Sequence, residues 1–131
     1  MKKLLLLSVA VLTLASCHHT TLEDKAQKIA EDYTERYCPT PEKDNQITDS
    51  VAFNLKTLTF CYYYTLTGKA DNPEIIDKLK KQLNDTLLKE LREDTSMKVF
   101  KDANYNFRYV FRSQSTGKIL FERSYTAKNY K

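Results

Sequence analysis

The run Val51 to Thr67, VAFNLKTLTFCYYYTLT, constrains the fold more than any other part of the chain. Val51, Phe53 and Leu55 alternate with Ala52, Asn54 and Lys56, the period of a half-buried strand. From Leu58 the alternation restarts in the opposite phase, with Leu58, Phe60, Tyr62, Tyr64 and Leu66 on one face. A phase change at Lys56–Thr57 means a hairpin or a bulge, because a one-residue slip exchanges the two faces of a strand. No Gly, Asn or Asp sits at the break, so the hairpin signal is weak. Two strands are still expected, since a single strand of that length would far exceed the usual ~5–6 residues.

Two helical segments are spaced to cover this pair. Leu22, Ala26, Ile29, Ala30, Tyr33 and Tyr37 recur at steps of three and four, an apolar stripe that ends at Pro39. Thr20 and Glu23 are placed to form its capping box. After a polar loop, Cys38 to Asn45, and the strand pair, Asn72-Pro73 opens a second helix, with Asn72 as cap and Pro73 at the first helical position. Its stripe is Ile75, Ile76, Leu79, Leu83, Leu87 and Leu91, and it should stop near Glu93 or Asp94. Thr95 to Ala103 admits two readings: Met97 and Phe100 suit a short helical turn capped by Thr95, the one preferred here, and Met97 and Val99 suit a strand. Tyr105, Phe107, Tyr109 and Phe111 then alternate, Ser113 to Lys118 turns at Gly117, and Ile119, Phe121 and Tyr125 return in phase. Arg123 is the exception to that phase and is expected at the sheet margin, its head in water. The order helix–strand–strand–helix–strand–strand predicts an α+β fold, with two helices on one face of a four-stranded, mainly antiparallel sheet.

The N-terminus carries a different signal. Met1-Lys2-Lys3 is a basic start, and Leu4 to Leu14 is apolar but too short to span a membrane. Leu14-Ala15-Ser16-Cys17 follows: an aliphatic residue, two small residues and a cysteine. Here the chain resembles bacterial lipoproteins. The resemblance implies that residues 1–16 are cleaved, that Cys17 is lipidated, and that Cys17 to Thr21 forms a tether before a single domain at 22–131. It also implies a lipid-anchored protein of the bacterial cell envelope, and the absence of Asp after Cys17 implies outer-membrane delivery. The strand pattern Phe60-x-Tyr62-x-Tyr64 with Tyr105-x-Phe107-x-Tyr109 resembles small exported bacterial α+β domains and implies no catalytic residues.

Charge and residue usage narrow the function classes. Without residues 1–16 the 21 basic residues become 19 against 17 acidic, so the net charge falls from +4 to +2, which gives no reason to expect nucleic acid. Both histidines, His18 and His19, lie on the tether, so the domain holds no histidine-based triad and no metal site is expected. Only two glycines, Gly68 and Gly117, are present, too few for a phosphate-cradling loop. No cofactor and no enzymatic activity are expected. Cys38 and Cys61 could form a disulfide in an oxidising compartment, but the strand phase turns Cys61 away from the helix that precedes Cys38, so two free thiols are expected. The outward phase carries Tyr63, Arg108, Val110, Arg112, Leu120 and Glu122. Tyr and Arg are enriched where interfaces concentrate their energy, so Tyr63, Arg108 and Arg112 are the predicted partner-binding residues. The expected role is a non-catalytic binding or accessory domain with an envelope protein partner. The alternatives are an inhibitor or immunity-type protein against an exported enzyme or toxin, or an envelope enzyme with an unrecognised site.

Overall fold

The computed structural model describes residues 20–131, so residues 1–16, Cys17 and both histidines lie outside it. The break in the β-prone run is a hairpin. Strand β1, Gln46–Asn54, turns through residues 55–58 into β2, Thr59–Leu66, and pairs Val51 with Tyr62 and Phe53 with Phe60. Asn54 makes the turn: its side-chain oxygen accepts from the backbone N–H groups of Lys56 and Thr57 at 3.0 and 3.2 Å, a local bond that Asn readily supplies. Leu58 closes it at φ 51°. The turn former therefore sits before the phase break rather than at it.

β1 begins five residues earlier than the alternation indicated. Asp44 and Asn45 take φ 53° and 60°, and Lys43 and Gln46 exchange backbone bonds at 3.0 and 3.1 Å around them. Two left-handed residues between a bonded pair make the tight turn favoured in hairpins. A bulge between Thr48 and Ser50 then leaves Asp49 over, and its carboxylate accepts from Thr65 Oγ1 at 2.7 Å.

Helix α1 is Leu22–Tyr37, capped by Thr21 with Asp24, one residue later than the Thr20–Glu23 pair expected. It runs antiparallel to β1. Thr34 Oγ1 donates to the carbonyl of Val51 and accepts from its N–H, both at 2.8 Å, and Thr40 takes up the backbone of Thr48. An outer strand leaves such groups unpaired, and α1 and the loop after it satisfy them here. Helix α2, Pro73–Glu93, starts at the Asn72 cap and ends where its stripe does. Asp94, rather than Thr95, caps the 3-10 turn Thr95–Met97, which leads into α3, Lys98–Asp102.

Strands β3, Asn106–Ser113, and β4, Ile119–Tyr125, form the second hairpin, and a short helix α4, Ala127–Tyr130, follows it. Arg123 is exposed, as expected of the charged exception to the strand's phase. The sheet order is β1-β2-β3-β4; both outer pairs are antiparallel and the central β2–β3 pair is parallel, with α2 in the crossover. In-register parallel pairing stacks three aromatic pairs across the centre: Phe60 on Phe107, Tyr62 on Tyr109 and Tyr64 on Phe111, with centroids 5.7, 4.9 and 4.6 Å apart. Aromatic neighbours on one sheet face add to burial by about 0.5–1.5 kcal/mol each.

The helices cap this face. Phe100 of α3 meets the Phe60 ring edge-on at 5.0 Å, and Tyr130 of α4 meets Phe107 at 5.7 Å. Tyr125 reaches Asn84 of α2 through its hydroxyl at 2.9 Å. Lys101 is buried among apolar groups, with its ammonium donating to the carbonyls of Leu91 and Arg92 at 2.6 and 3.1 Å. It thereby satisfies carbonyls that the end of α2 leaves without helical partners, and a cation there complements the helix dipole.

Candidate functional site

α1 and α2 do not meet over the sheet. α1 lies along β1 and α2 along β4, and a groove of about 330 Å³ opens over β1 and β2, between α1 and the turn that follows α2. Its floor is Val51, Tyr62 and Tyr64. Ile29 and Tyr33 of α1 form one wall, and Asp94, Ser96 and Met97 after α2 form another. The stripe read in α1 is wider than the surface it covers. Ala26 and Ala30 are buried, whereas Ile29, Tyr33 and Tyr37 are 44%, 40% and 59% exposed. Tyr33 and Tyr37 rest on each other at 5.3 Å.

The groove is apolar in its surface and polar at its hydroxyls. Burial pushes the phenol of Tyr62 well above its usual range, with Tyr109, Tyr64 and the Asp94 carboxylate adding to the rise. Burial raises Tyr64 too, with Tyr33 and Glu90 contributing, and Tyr109 rises for the same reasons beside Asp94 and Glu90. These three hydroxyls make no hydrogen bond among the described residues, while Tyr130 donates to the carbonyl of Tyr105 at 2.6 Å. The one buried side-chain polar atom without a partner among the described residues is the Tyr105 hydroxyl; the hydroxyls of Tyr62 and Tyr64 face the open groove and are free to donate to what enters it.

The residues predicted from the outward phase lie on the other face. Tyr63 pairs with Val110 and Cys61 with Arg108 across β2–β3, and Val110 with Glu122 across β3–β4. Tyr63 is half-buried. Burial and the neighbouring Cys61 raise its phenol, and Arg108 and Arg112 oppose that rise. So the three predicted residues are neighbours. Two of them are already engaged: Arg108 Nε donates to Glu122 at 2.6 Å, and Arg112 Nη1 reaches the carbonyl of Gly117 at 3.3 Å. Val110 is fully buried and Cys61 nearly so, yet neither belongs to the core cluster on the covered face. The side chains around them seal this face without a helix. Cys38 and Cys61 are both free.

Among the described residues no group of three His, Cys, Asp or Glu side chains could hold a metal ion, and no helix is long and apolar enough to cross a membrane.

The described residues form a small α+β domain, helices packed on a four-stranded mixed sheet, and this fold is also seen in two solved structures. One is a protein of Pseudomonas aeruginosa described as secreted, with a TM-score of 0.66 and 11% identity over 85% of this chain and 98% of that one. The other is EpsS, the pilotin of the Vibrio vulnificus type 2 secretion system, with a TM-score of 0.64 and 15% identity over 83% of this chain and 91% of that one. At such identities the likeness is one of fold. By sequence the chain belongs to the family described as domain of unknown function (DUF8479), whose model matches residues 21–121. No curated protein matches the sequence.

Proposed function

We propose that this protein is a lipid-anchored, non-catalytic accessory domain of the bacterial envelope, cleaved before Cys17 and held by acyl chains on that residue. In this reading the groove between α1 and the turn after α2 receives a segment of an envelope protein. The observation that carries it is the groove itself: an apolar channel with Ile29 and Tyr33 left exposed on its wall and unpaired tyrosine hydroxyls on its floor. Concave, largely apolar sites with a few placed polar groups are where ligands bind. The fold shared with a secretion-system pilotin and with a secreted protein supports an exported accessory role.

The open face is a second contact surface, favoured by the register that sets Tyr63 beside Val110, with Arg108 and Arg112 on either side of Val110 in β3. A photo-crosslinking residue placed at Tyr33 in one variant and at Tyr63 in another separates the two. Crosslinks to an envelope protein from position 33 alone assign the groove, and crosslinks from position 63 alone assign the open face. Ile29→Asp with Tyr33→Ala should weaken that association by about 30-fold or more, the loss expected for interface anchors worth 2 kcal/mol. Retained capture by this variant overturns the groove assignment.

A further inference from the structure

We propose that the end of the domain formed by the β1–β2 turn and α3 rests on the lipid bilayer, inserting Leu55 and Val99 into its surface. The proposal rests on the lipid anchor at Cys17. α1 runs antiparallel to β1, with Thr34 at Val51 and Thr40 at Thr48. Its first turn therefore lies beyond Asn54, beside the β1–β2 turn. Glu23 of that turn acts on the phenol of Tyr105, just before β3, which places the start of α1 at the same end. Chain entry and the two loops thus share one end of the sheet, and Cys17 lies only five residues before Leu22. So short a tether, at most about 3.6 Å per residue, keeps this end within reach of the surface that holds the acyl chains.

The same end carries the two most exposed large aliphatic side chains among the described residues, Leu55 at 55% and Val99 at 53%. Each continues directly from the core. Leu55 follows β1, whose last core residue is Phe53, and Val99 precedes Phe100; the rings of Phe53, Phe60 and Phe100 are linked by centroid distances of 5.0 Å. A single exposed Leu needs no explanation, but two at the entry point of the tether fit a bilayer. Charge adds little to this reading. Lys25, Lys56, Lys98 and Lys131 outnumber Glu23, Asp24 and Asp102 here by only one, and Lys98 is paired with Asp102. Contact should therefore be apolar and indifferent to salt, because only a net basic patch gains from anionic lipid.

The chain contains no tryptophan, so a single introduced one is an unambiguous reporter. Leu55→Trp, Val99→Trp and, at the far end of the sheet, Ile119→Trp would be made in the full-length protein and purified after processing into vesicles. Flotation with the vesicles reports the anchor. Quenching by lipids brominated high on the acyl chain reports insertion. The expected result is at least twofold quenching at positions 55 and 99, none at 119, and no change between 50 mM and 500 mM salt or on adding anionic lipid. Failure to float would overturn the anchor. Flotation without quenching at 55 and 99, or equal quenching at 119, would overturn the bilayer contact. A blue shift at 55 without bromolipid quenching would assign that end to a protein or a second copy instead, and quenching abolished by salt would assign it to headgroup charge.

Discussion

The covered face of the sheet and its open face finish their own chemistry to different degrees. The covered face has four helices and still leaves a groove with exposed Ile29 and Tyr33 and with free hydroxyls on Tyr62 and Tyr64. The open face has no helix among the described residues, yet Val110 is fully buried there and Arg108 is tied to Glu122. Being on the side with helices therefore does not mean being sealed, and facing solvent does not mean being available. What decides it is whether neighbouring side chains are long enough to close over a site.

That contrast can be broken at both ends. The largest effect should come from Phe107→Ala, which empties a fully buried site between Phe60 and Tyr130; chemical denaturation should show a loss of about 3–5 kcal/mol. Val110→Ala tests the open face. If its neighbours truly seal it, losing two methyl groups should cost about 2 kcal/mol, whereas a cost within about 0.5 kcal/mol would mean an ordinary surface position. Truncating Tyr63, Arg108 and Arg112 together should for the same reason lower the melting temperature.

Hydroxyl deletions sharpen the comparison further. Tyr130→Phe removes a buried bond to the Tyr105 carbonyl and should cost about 1 kcal/mol. Tyr62→Phe and Tyr64→Phe remove no internal bond and should leave stability within about 0.5 kcal/mol of wild type. Any larger effect of these two should appear in partner binding.

Titration gives the smallest change near neutral pH. Tyr62, Tyr64 and Tyr109 lose their protons at higher pH when folded than when unfolded, and an unfolded tyrosine titrates near pH ~10. Their contribution to stability is therefore complete below about pH 10 and is lost as pH rises toward the folded values, because unfolding then releases protons. Melting temperature should not vary through this group between pH 7 and 9 and should fall above 10, less steeply in a Tyr62→Phe, Tyr64→Phe variant.

Much of the fold was legible because local signals agreed with one another. Asn72-Pro73 set the start of α2, and the alternation of Phe60, Tyr62 and Tyr64 with that of Phe107 and Tyr109 set the buried face. The front half of β1 was not legible, since Ile47 is its one large apolar residue and the Asp49 bulge breaks the period. α4 was missed because four residues are too few to show a helical repeat. The groove lay outside reach for another reason. The stripe in α1 says which side is apolar but not how far α2 stands from it. Periodicity is a property of one segment, and a groove belongs to two.

The parallel centre of the sheet has a kinetic consequence. Each hairpin closes through a short turn, β1–β2 through residues 55–58 and β3–β4 through residues 114–118, and such closures take microseconds. The β2–β3 register instead joins residues 47 positions apart, so loop-closure entropy must be overcome before the first bond of that pair repays it. The two hairpins can thus exist separately, each with an aromatic-bearing strand edge unsatisfied. The order of events would be local hairpins first, and the aromatic ladder only when α2 has folded back to bring them side by side. The chain would spend that interval with its stickiest edges open, the stage at which a chaperone would have most to do.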